Sequence, residues 1–251
     1  MCGRYMVTSP PEAMRRLFGV QGVLPNFPPL YNVAPTQDVP VVFVAPEGRL
    51  HAAGEHRRLA LMRWGLVPAD SDADKNGKPR PGKPPIINAR SATVAVAAPF
   101  KRAFRSRRCL IPANGYFEWD KATKAPHLYR PSNQGLFAFA GIWAEWRDPN
   151  RPDAPLLRSC AILTTGASTL VAPLHDCMPV ILAPEAWVAW LGEAKADHAA
   201  LQALLRPGGD EGFTDTIVSK RVNSHVNDDP ACIEPAPSGE SEAQLPRDRL
   251  L

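Results

Sequence analysis

Met1 is followed directly by Cys2. A methionine before a small residue is normally removable, and its removal leaves a cysteine with an α-amine and a thiol on adjacent carbons. An α-amine has a pKa of about 8, roughly two units below lysine, so a useful share is uncharged at neutral pH. Such an amine condenses with an aldehyde to an imine, and the neighbouring thiol then closes a five-membered thiazolidine ring. An interior cysteine cannot do this, because its nitrogen is held in an amide. Glu118 lies inside the aromatic run Tyr116-Phe117-Glu118-Trp119. Either it faces outward, as alternation permits, or it sits in a partly dry cleft with its pKa raised, as a general acid or base near neutral pH. His175 stands just ahead of Met178-Pro179 and an apolar run, as a structural group or a proton carrier. Asn88 and Arg90, two residues apart, would share one face of a strand and together bind an oxygen-rich ligand. The alternative for that pair is a loop terminus with local hydrogen bonds.

These groups need a scaffold, and the pattern predicts one α+β domain. It is built on a curled, mostly antiparallel, barrel-like sheet with short peripheral helices. Residues 10–19 read as a short helix with prolines in its first turn and Gly19 as its stop. An apolar strand spans 39–45, and 49–63 reads as a hairpin around a turn near Gly54. A further short helix is expected at 99–106. Asn114-Gly115 signals a turn or a bulge between two strand-like flanks. Strands at 126–130, 136–145 and 157–164 are expected to form a meander with Trp143 and Trp146 partly buried. A strand follows His175, two helices suit 184–193 and 197–206, and a last strand covers 216–218. The folded domain is expected to span 1–233. Within it, the Pro-, Gly- and charge-rich segment 70–85 reads as a mobile surface loop, and 234–251 as a disordered tail.

A chain of 251 residues, 45% hydrophobic and 22% charged, suits a soluble globular protein with a substantial core. No apolar run is long enough to cross a membrane as a helix, and the N-terminus lacks the regions of a signal peptide. Five cysteines at irregular spacing argue against a disulfide framework and suit a reducing cytoplasm. Without a CxxC pair, a structural zinc site is not expected. The net charge of +4 is modest, yet ten Lys and Arg fall between Lys75 and Arg108 with no Asp or Glu among them. Such a stretch gathers polyanions, phosphate backbones above all, unless it is only a solvated loop.

Seven stretches carry a resemblance: MCGRY at 1–5, YNVAPTQ at 31–37, RWGLVP at 63–68, NARSAT at 88–93, RRCLIPANGYFEW at 107–119, LHDCMPVIL at 174–182 and VSKRVN at 218–223. In this order they resemble the SOS-response-associated peptidase (SRAP) family, the abasic-site-crosslinking proteins. The resemblance implies covalent attachment of Cys2, by a thiazolidine, to abasic sites in single-stranded DNA, which shields the lesion. It also implies self-cleavage exposing Cys2, so hydrolase as well as lyase-type chemistry. On this likeness, Asn88 holds the opened sugar or the Cys2 amine, Glu118 shuttles protons, and His175 assists ring opening and reversal. Arg4 and Arg90 match phosphate-binding arginines, and Trp64 and Leu66 an apolar wedge against bases. Asn32, Pro35 and Gly65, in the same motifs, join the expected DNA-binding set. Cys177 departs from the pattern, because many members carry a basic residue there. No cofactor or metal is implied and no replication-fork partner is named; a monomer is expected, cytoplasmic and nucleoid-associated if bacterial.

Two other readings remain open at this point. Glutamine amidotransferases also begin Met-Cys-Gly, with the α-amine as base, but need a glutamine-binding arginine motif and usually a synthase domain, and neither is found. A non-covalent single-strand DNA-binding module would use only the basic stretch and aromatics. Loss of DNA interaction on changing Cys2 separates it from the crosslinker.

Overall fold

The computed structural model describes residues 2–45, 57–79, 85–208 and 211–237. Its strands are β1 (Tyr5–Val7), β2 (Leu30–Val33), β3 (Asp38–Val44), β4 (Arg57–Trp64), β5 (Asn88–Arg90), β6 (Arg108–Ala113), β7 (Gly115–Trp119), β8 (Pro126–Pro131), β9 (Phe137–Trp146), β10 (Leu157–Gly166), β11 (Cys177–Pro179) and β12 (Phe213–Ile217). The helices are α1 (Pro11–Phe18), α2 (Ala98–Ser106), α3 (Trp187–Leu191) and α4 (His198–Ala203).

Two sheets share the work. One has the order β12-β8-β7-β1-β2 and is antiparallel throughout. In the other, β10, β4, β3, β6 and β9 pair in turn, and β9 pairs back onto β10, so these five strands close on themselves. Strands β11 and β5 extend that ring, both paired to β10. Only the β10 pairings with β4 and β5 are parallel. The expected α+β domain on a curled, mostly antiparallel sheet is what the chain forms.

The predicted meander is not. Strand β8 lies between β7 and β12 in the first sheet, whereas β9 and β10 belong to the closed ring. Burial explains the split. All ten residues of β9 are buried, Trp143 and Trp146 among them, as a strand covered on both faces requires. Asn114 is no hairpin turn either. It carries the chain from β6 in one sheet to β7 in the other, fully inside the protein. Its side-chain oxygen accepts from the Thr8 and Ser9 amides, and its nitrogen donates to the Ser9 hydroxyl. A side chain at Gly115 would meet Leu128 at 2.8 Å and the Tyr129 carbonyl at 3.0 Å, so the crossing is tight there.

The first sheet has two covered faces. Tyr5, Tyr116 and Tyr129 join the large core, while Met6, Phe117 and Leu128 form a smaller cluster with Val218, Val222 and Cys232. Alternation along β7 therefore turns Glu118 to the same side as Tyr116, inward. Helix α1 begins with proline, buries Met14 and Phe18 one turn apart, and ends at Gly19, whose φ of 65° is the left-handed cap.

Segment 70–85 is described as far as Pro79 and again from Pro85. Asp74 folds it into a turn by accepting from the Asn76 and Lys78 amides, and the Trp146 indole donates to the Ser71 carbonyl. Glu234 and Ala236, placed in the tail by composition, hydrogen-bond to Ser219 and Ile217. The first arm of the predicted 49–63 hairpin, with Gly54, and residues 238–251 lie outside the described residues; Arg57–Trp64 pairs antiparallel with β3. Among the described residues no helix is long and apolar enough to cross a membrane.

Candidate functional site

Strand β1 pairs antiparallel with β7, with Tyr5 opposite Tyr116, and the Phe117 amide donates to the Arg4 carbonyl. Continuing this register brings the N-terminal residues against Glu118. Both Cys2 and Glu118 are almost wholly buried, at 2% and 3% exposure. The Cys2 thiol donates to the Cys177 carbonyl at 3.9 Å, and its ionisation responds to the Cys177 thiol and the Glu118 carboxyl. Burial raises the Glu118 pKa; the Cys2 hydrogen bond and the nearby His175 pull it back only in part. Of the two carboxyl oxygens, Oε1 has no hydrogen-bond partner among the described residues.

The closed ring supplies the opposite wall. Strand β5 runs beside β10, with Asn88 opposite Ile162 and Arg90 opposite Thr164. Ala89 is buried, while Asn88 is half-buried and Arg90 exposed, so Asn88 and Arg90 share the face away from the core. The Asn88 amide nitrogen donates to the Cys2 carbonyl at 3.1 Å, and its carbonyl oxygen is buried without a partner among the described residues. On the other flank of β10, Gly166 pairs with Cys177 at the start of β11. His175 Nδ1 lies 3.1 Å from both the amide nitrogen and the carbonyl oxygen of Cys177, and 3.4 Å from its sulfur.

Cys2, Asn88, Glu118 and His175 are thus brought together at the seam between the two sheets, with Cys177 in their midst. In the thiol pair, the hydrogen bond to Cys177 and burial push the Cys2 pKa well up, and the Glu118 charge adds to this. The same hydrogen bond, aided by His175, draws Cys177 down to about 5 despite its partial burial. In the sequence Cys177 stands out only as a departure from the basic residue that many similar chains carry there. A partner 175 residues away leaves no local signal, and only the Cys2 chemistry itself could have prompted a search for one. Among the described residues no group of three or more His, Cys, Asp or Glu is arranged to hold a metal.

The other expected contact residues divide. Arg4 donates from Nη1 to Asn32 Oδ1 at 2.7 Å and to the Val222 carbonyl at 2.9 Å, and its guanidinium lies 5.8 Å from the Trp119 ring centre. Burial lowers its pKa. With five N–H groups, it retains donors for an anion. Asn32 is fully buried and donates to the carbonyls of Val222, Ser224 and Asn227. As placed it fastens the 222–227 loop from inside the protein. Pro35 lies half-buried in the turn before β3, where the Thr36 amide donates to the Trp64 carbonyl and the Gln37 carbonyl accepts from the Trp64 amide. Two of the quoted motifs thus dock on each other.

Trp64 and Leu66 are inside, at 1% and 0% exposure. The Trp64 indole donates to the Ile87 carbonyl, just before Asn88, and its ring packs edge-on against Tyr5 at 5.2 Å. In this arrangement they support the floor of the site and form no exposed wedge, because both rank among the largest fully buried side chains. Gly65 between them has a φ of 136°, a backbone state that side chains rarely adopt. The basic stretch is also divided. Arg108 is spent on the carbonyls of Trp190, Phe104 and Arg105, and Arg107 lies 3.7 Å from Glu145, while Arg90, Lys101, Arg102 and Arg105 are exposed.

Comparison with known proteins gives a consistent result. The family model described as SOS response associated peptidase (SRAP) matches residues 1–225. The abasic site processing protein YoqW of Bacillus subtilis is 35% identical over 239 residues, covering 93% of this chain and 99% of that protein. The abasic site processing protein HMCES of Xenopus tropicalis is 28% identical over 269 residues, covering 93% and 78%. A crystal structure of a Bacteroides thetaiotaomicron protein shares the fold, with a TM-score of 0.78 at 20% identity over 94% of this chain and 100% of that one.

Proposed function

The chain belongs to the SOS response associated peptidase (SRAP) family, and from that premise we propose that it processes abasic sites in single-stranded DNA by a thiazolidine link through Cys2. The observation that carries this reading is the placement of Cys2. The one residue able to present an amine and a thiol together is buried beside a carboxyl of raised pKa and the Asn88 amide, with His175 further on, against Cys177.

Removal of Met1 frees the Cys2 amine, by self-cleavage as the family name suggests. The ammonium then meets two acceptors that have no partner among the described residues, Asn88 Oδ1 and Glu118 Oε1, on residues that interact with Cys2. Buried acceptors without donors are costly, about 1–3 kcal/mol each, and call for one. His175 assists opening of the deoxyribose ring to its aldehyde. The deprotonated amine attacks the aldehyde carbon, and Glu118 delivers a proton to the departing hydroxyl, so that one water leaves and an imine remains. The thiol then adds to the imine carbon while its proton passes to nitrogen. One C–N and one C–S bond have formed, with water the only product released. Arg4 and Arg90 hold the flanking phosphates, and the exposed cations of α2 add affinity without chemistry.

Incubation with single-stranded DNA carrying one abasic site tests this reading. On a denaturing gel the protein shifts the DNA without added borohydride, because a thiazolidine survives where a plain imine hydrolyses. Cys2→Ala loses the stable adduct and retains at most an imine trapped by borohydride. A Cys2→Ala protein that crosslinks like the wild type overturns the proposal.

A further inference from the structure

The crosslinking chemistry leaves Cys177 unused, yet this thiol lies against the nucleophile. We propose that Cys177 is a hydroperoxide-reactive residue that closes a reversible disulfide with Cys2, withdrawing the crosslinking thiol under oxidising conditions. Only the consequence for crosslinking rests on the function proposed above; the disulfide itself does not.

The geometry supports it from several sides. The Cys2 thiol donates to the Cys177 carbonyl oxygen at 3.9 Å, and the two thiols influence each other's ionisation. Cys2 is 2% exposed, whereas Cys177 is half-buried and can be reached by a small oxidant. His175 Nδ1, 3.4 Å from the Cys177 sulfur, stabilises negative charge there. Thiolate character and access are what select a cysteine for oxidation. The other thiols lack both. Cys109 and Cys160 are completely enclosed in the core, where burial raises their pKa. Cys232 is enclosed in the smaller cluster and donates to the Asn227 carbonyl.

The steps balance with hydroperoxide as the two-electron oxidant. The Cys177 thiolate attacks one peroxide oxygen, the O–O bond breaks, and the leaving oxygen takes a proton and departs as water, or as an alcohol from an organic peroxide. This leaves a sulfenic acid on Cys177. The Cys2 sulfur then attacks the Cys177 sulfur, its proton passes through Glu118 to the departing hydroxyl, and a second water leaves as the S–S bond forms. A thiol reductant restores both groups by exchange.

The test uses full-length protein with Met1 removed, first reduced, then treated with stoichiometric hydrogen peroxide and blocked with N-ethylmaleimide. Intact mass is expected to fall by two hydrogens before blocking, and peptide mapping to find Cys2 joined to Cys177, reversibly with dithiothreitol. Peroxide-treated wild type should lose most of its abasic-site crosslinking and regain it with dithiothreitol. Cys177→Ser should retain more of its own untreated yield. Maleimide on both Cys2 and Cys177 after peroxide, a link between other cysteines, or equal peroxide sensitivity in Cys177→Ser overturns the proposal. Should the reduced protein fail to crosslink at all, the proposed function falls, while the mass measurement still decides the disulfide.

Discussion

Asn88 donates its side-chain amide to the Cys2 carbonyl at 3.1 Å, while its own buried side-chain oxygen accepts from no described residue. One hydrogen bond thus fixes the backbone of the proposed nucleophile, and one acceptor is left for the amine that the proposed loss of Met1 would create. Positioning of this kind converts a collision into a near-unimolecular step.

Removing the amide is expected to slow crosslinking more than it weakens DNA binding. Asn88→Ala deletes a hydrogen bond worth about 0.5–1.5 kcal/mol, so single-turnover adduct formation should fall about two- to tenfold. Asn88→Asp should act differently. A carboxylate beside the α-ammonium favours its protonated form, so the pH–rate profile should move to higher pH. An unchanged profile in Asn88→Asp would place the amine away from this side chain.

Glu118 is predicted to trade stability for chemistry. Its folded-state pKa is raised, chiefly by burial, so the native state holds this proton more tightly than the unfolded chain does. Between the unfolded value of about 4.3 and the higher folded one, the unfolded state binds fewer protons, and stability falls as pH rises. Glu118→Gln removes that loss. Urea denaturation should find the variant more stable than wild type at neutral pH, with the gain shrinking below the unfolded pKa. The same substitution should slow adduct formation by about 10²–10⁴-fold, the usual worth of a positioned general acid and base. Normal crosslinking by Glu118→Gln would remove this carboxyl from the mechanism.

Asn32 offers a sharp contrast between contact and support. Its amide serves three carbonyls of the 222–227 segment and accepts from Arg4 while fully buried. Asn32→Ala should cost about 2–4 kcal/mol, from several lost hydrogen bonds and stranded acceptors. Denaturation midpoints check this. A variant with unaltered stability and weakened DNA binding would make Asn32 a contact residue after all.

What the sequence made legible was chemistry tied to residue type and short periodicity. The Cys2 terminus is unique by its covalent position. Asn88 and Arg90 share a face because a strand alternates, and Gly19 ends α1 because only glycine takes that backbone state at no cost. Glu118 remained ambiguous, since alternation alone does not say which face of β7 is inward; Phe117 in the smaller cluster decides it. The wedge role of Trp64 and Leu66 rests on the family resemblance alone, and aromatic and apolar residues in a motif carry no mark of depth. Their burial follows from the ring of strands closing, a relation between segments far apart in the chain. The same distance hid the Cys2–Cys177 pair and the crossing of the chain at Asn114.

Arg90 should govern affinity through phosphate. It is exposed beside Asn88, so Arg90→Glu removes one cation at the lesion. The salt dependence of single-strand binding should lose a slope of about 0.7 on a log–log plot, and crosslink yield should fall with it. Lys78, in the loop turned by Asp74, should tolerate reversal with little effect on either. Equal losses at Arg90 and Lys78 would show that the DNA path runs elsewhere.

His175 is expected to separate formation from reversal. An abasic deoxyribose is mostly a closed ring, and an aldehyde exists only after that ring opens by proton transfer. His175 sits 3.4 Å from the Cys177 sulfur and close enough to Glu118 for its charge to lower the carboxyl pKa. It can therefore carry protons at the mouth of the site while Glu118 acts deeper, on the Cys2 side. With natural abasic DNA, His175→Ala should slow adduct formation; with a substrate presenting a preopened aldehyde, formation should recover much of its rate. Release follows the reverse path, in which the C–S bond breaks, water returns to the imine and the sugar recloses. His175→Ala should therefore slow release of a preformed adduct at least as much as it slows formation, measured by transfer of the protein to excess competitor abasic DNA. Normal release by His175→Ala, or a formation defect that the preopened aldehyde does not relieve, would assign the histidine to holding Cys177 in place instead of moving protons for the sugar.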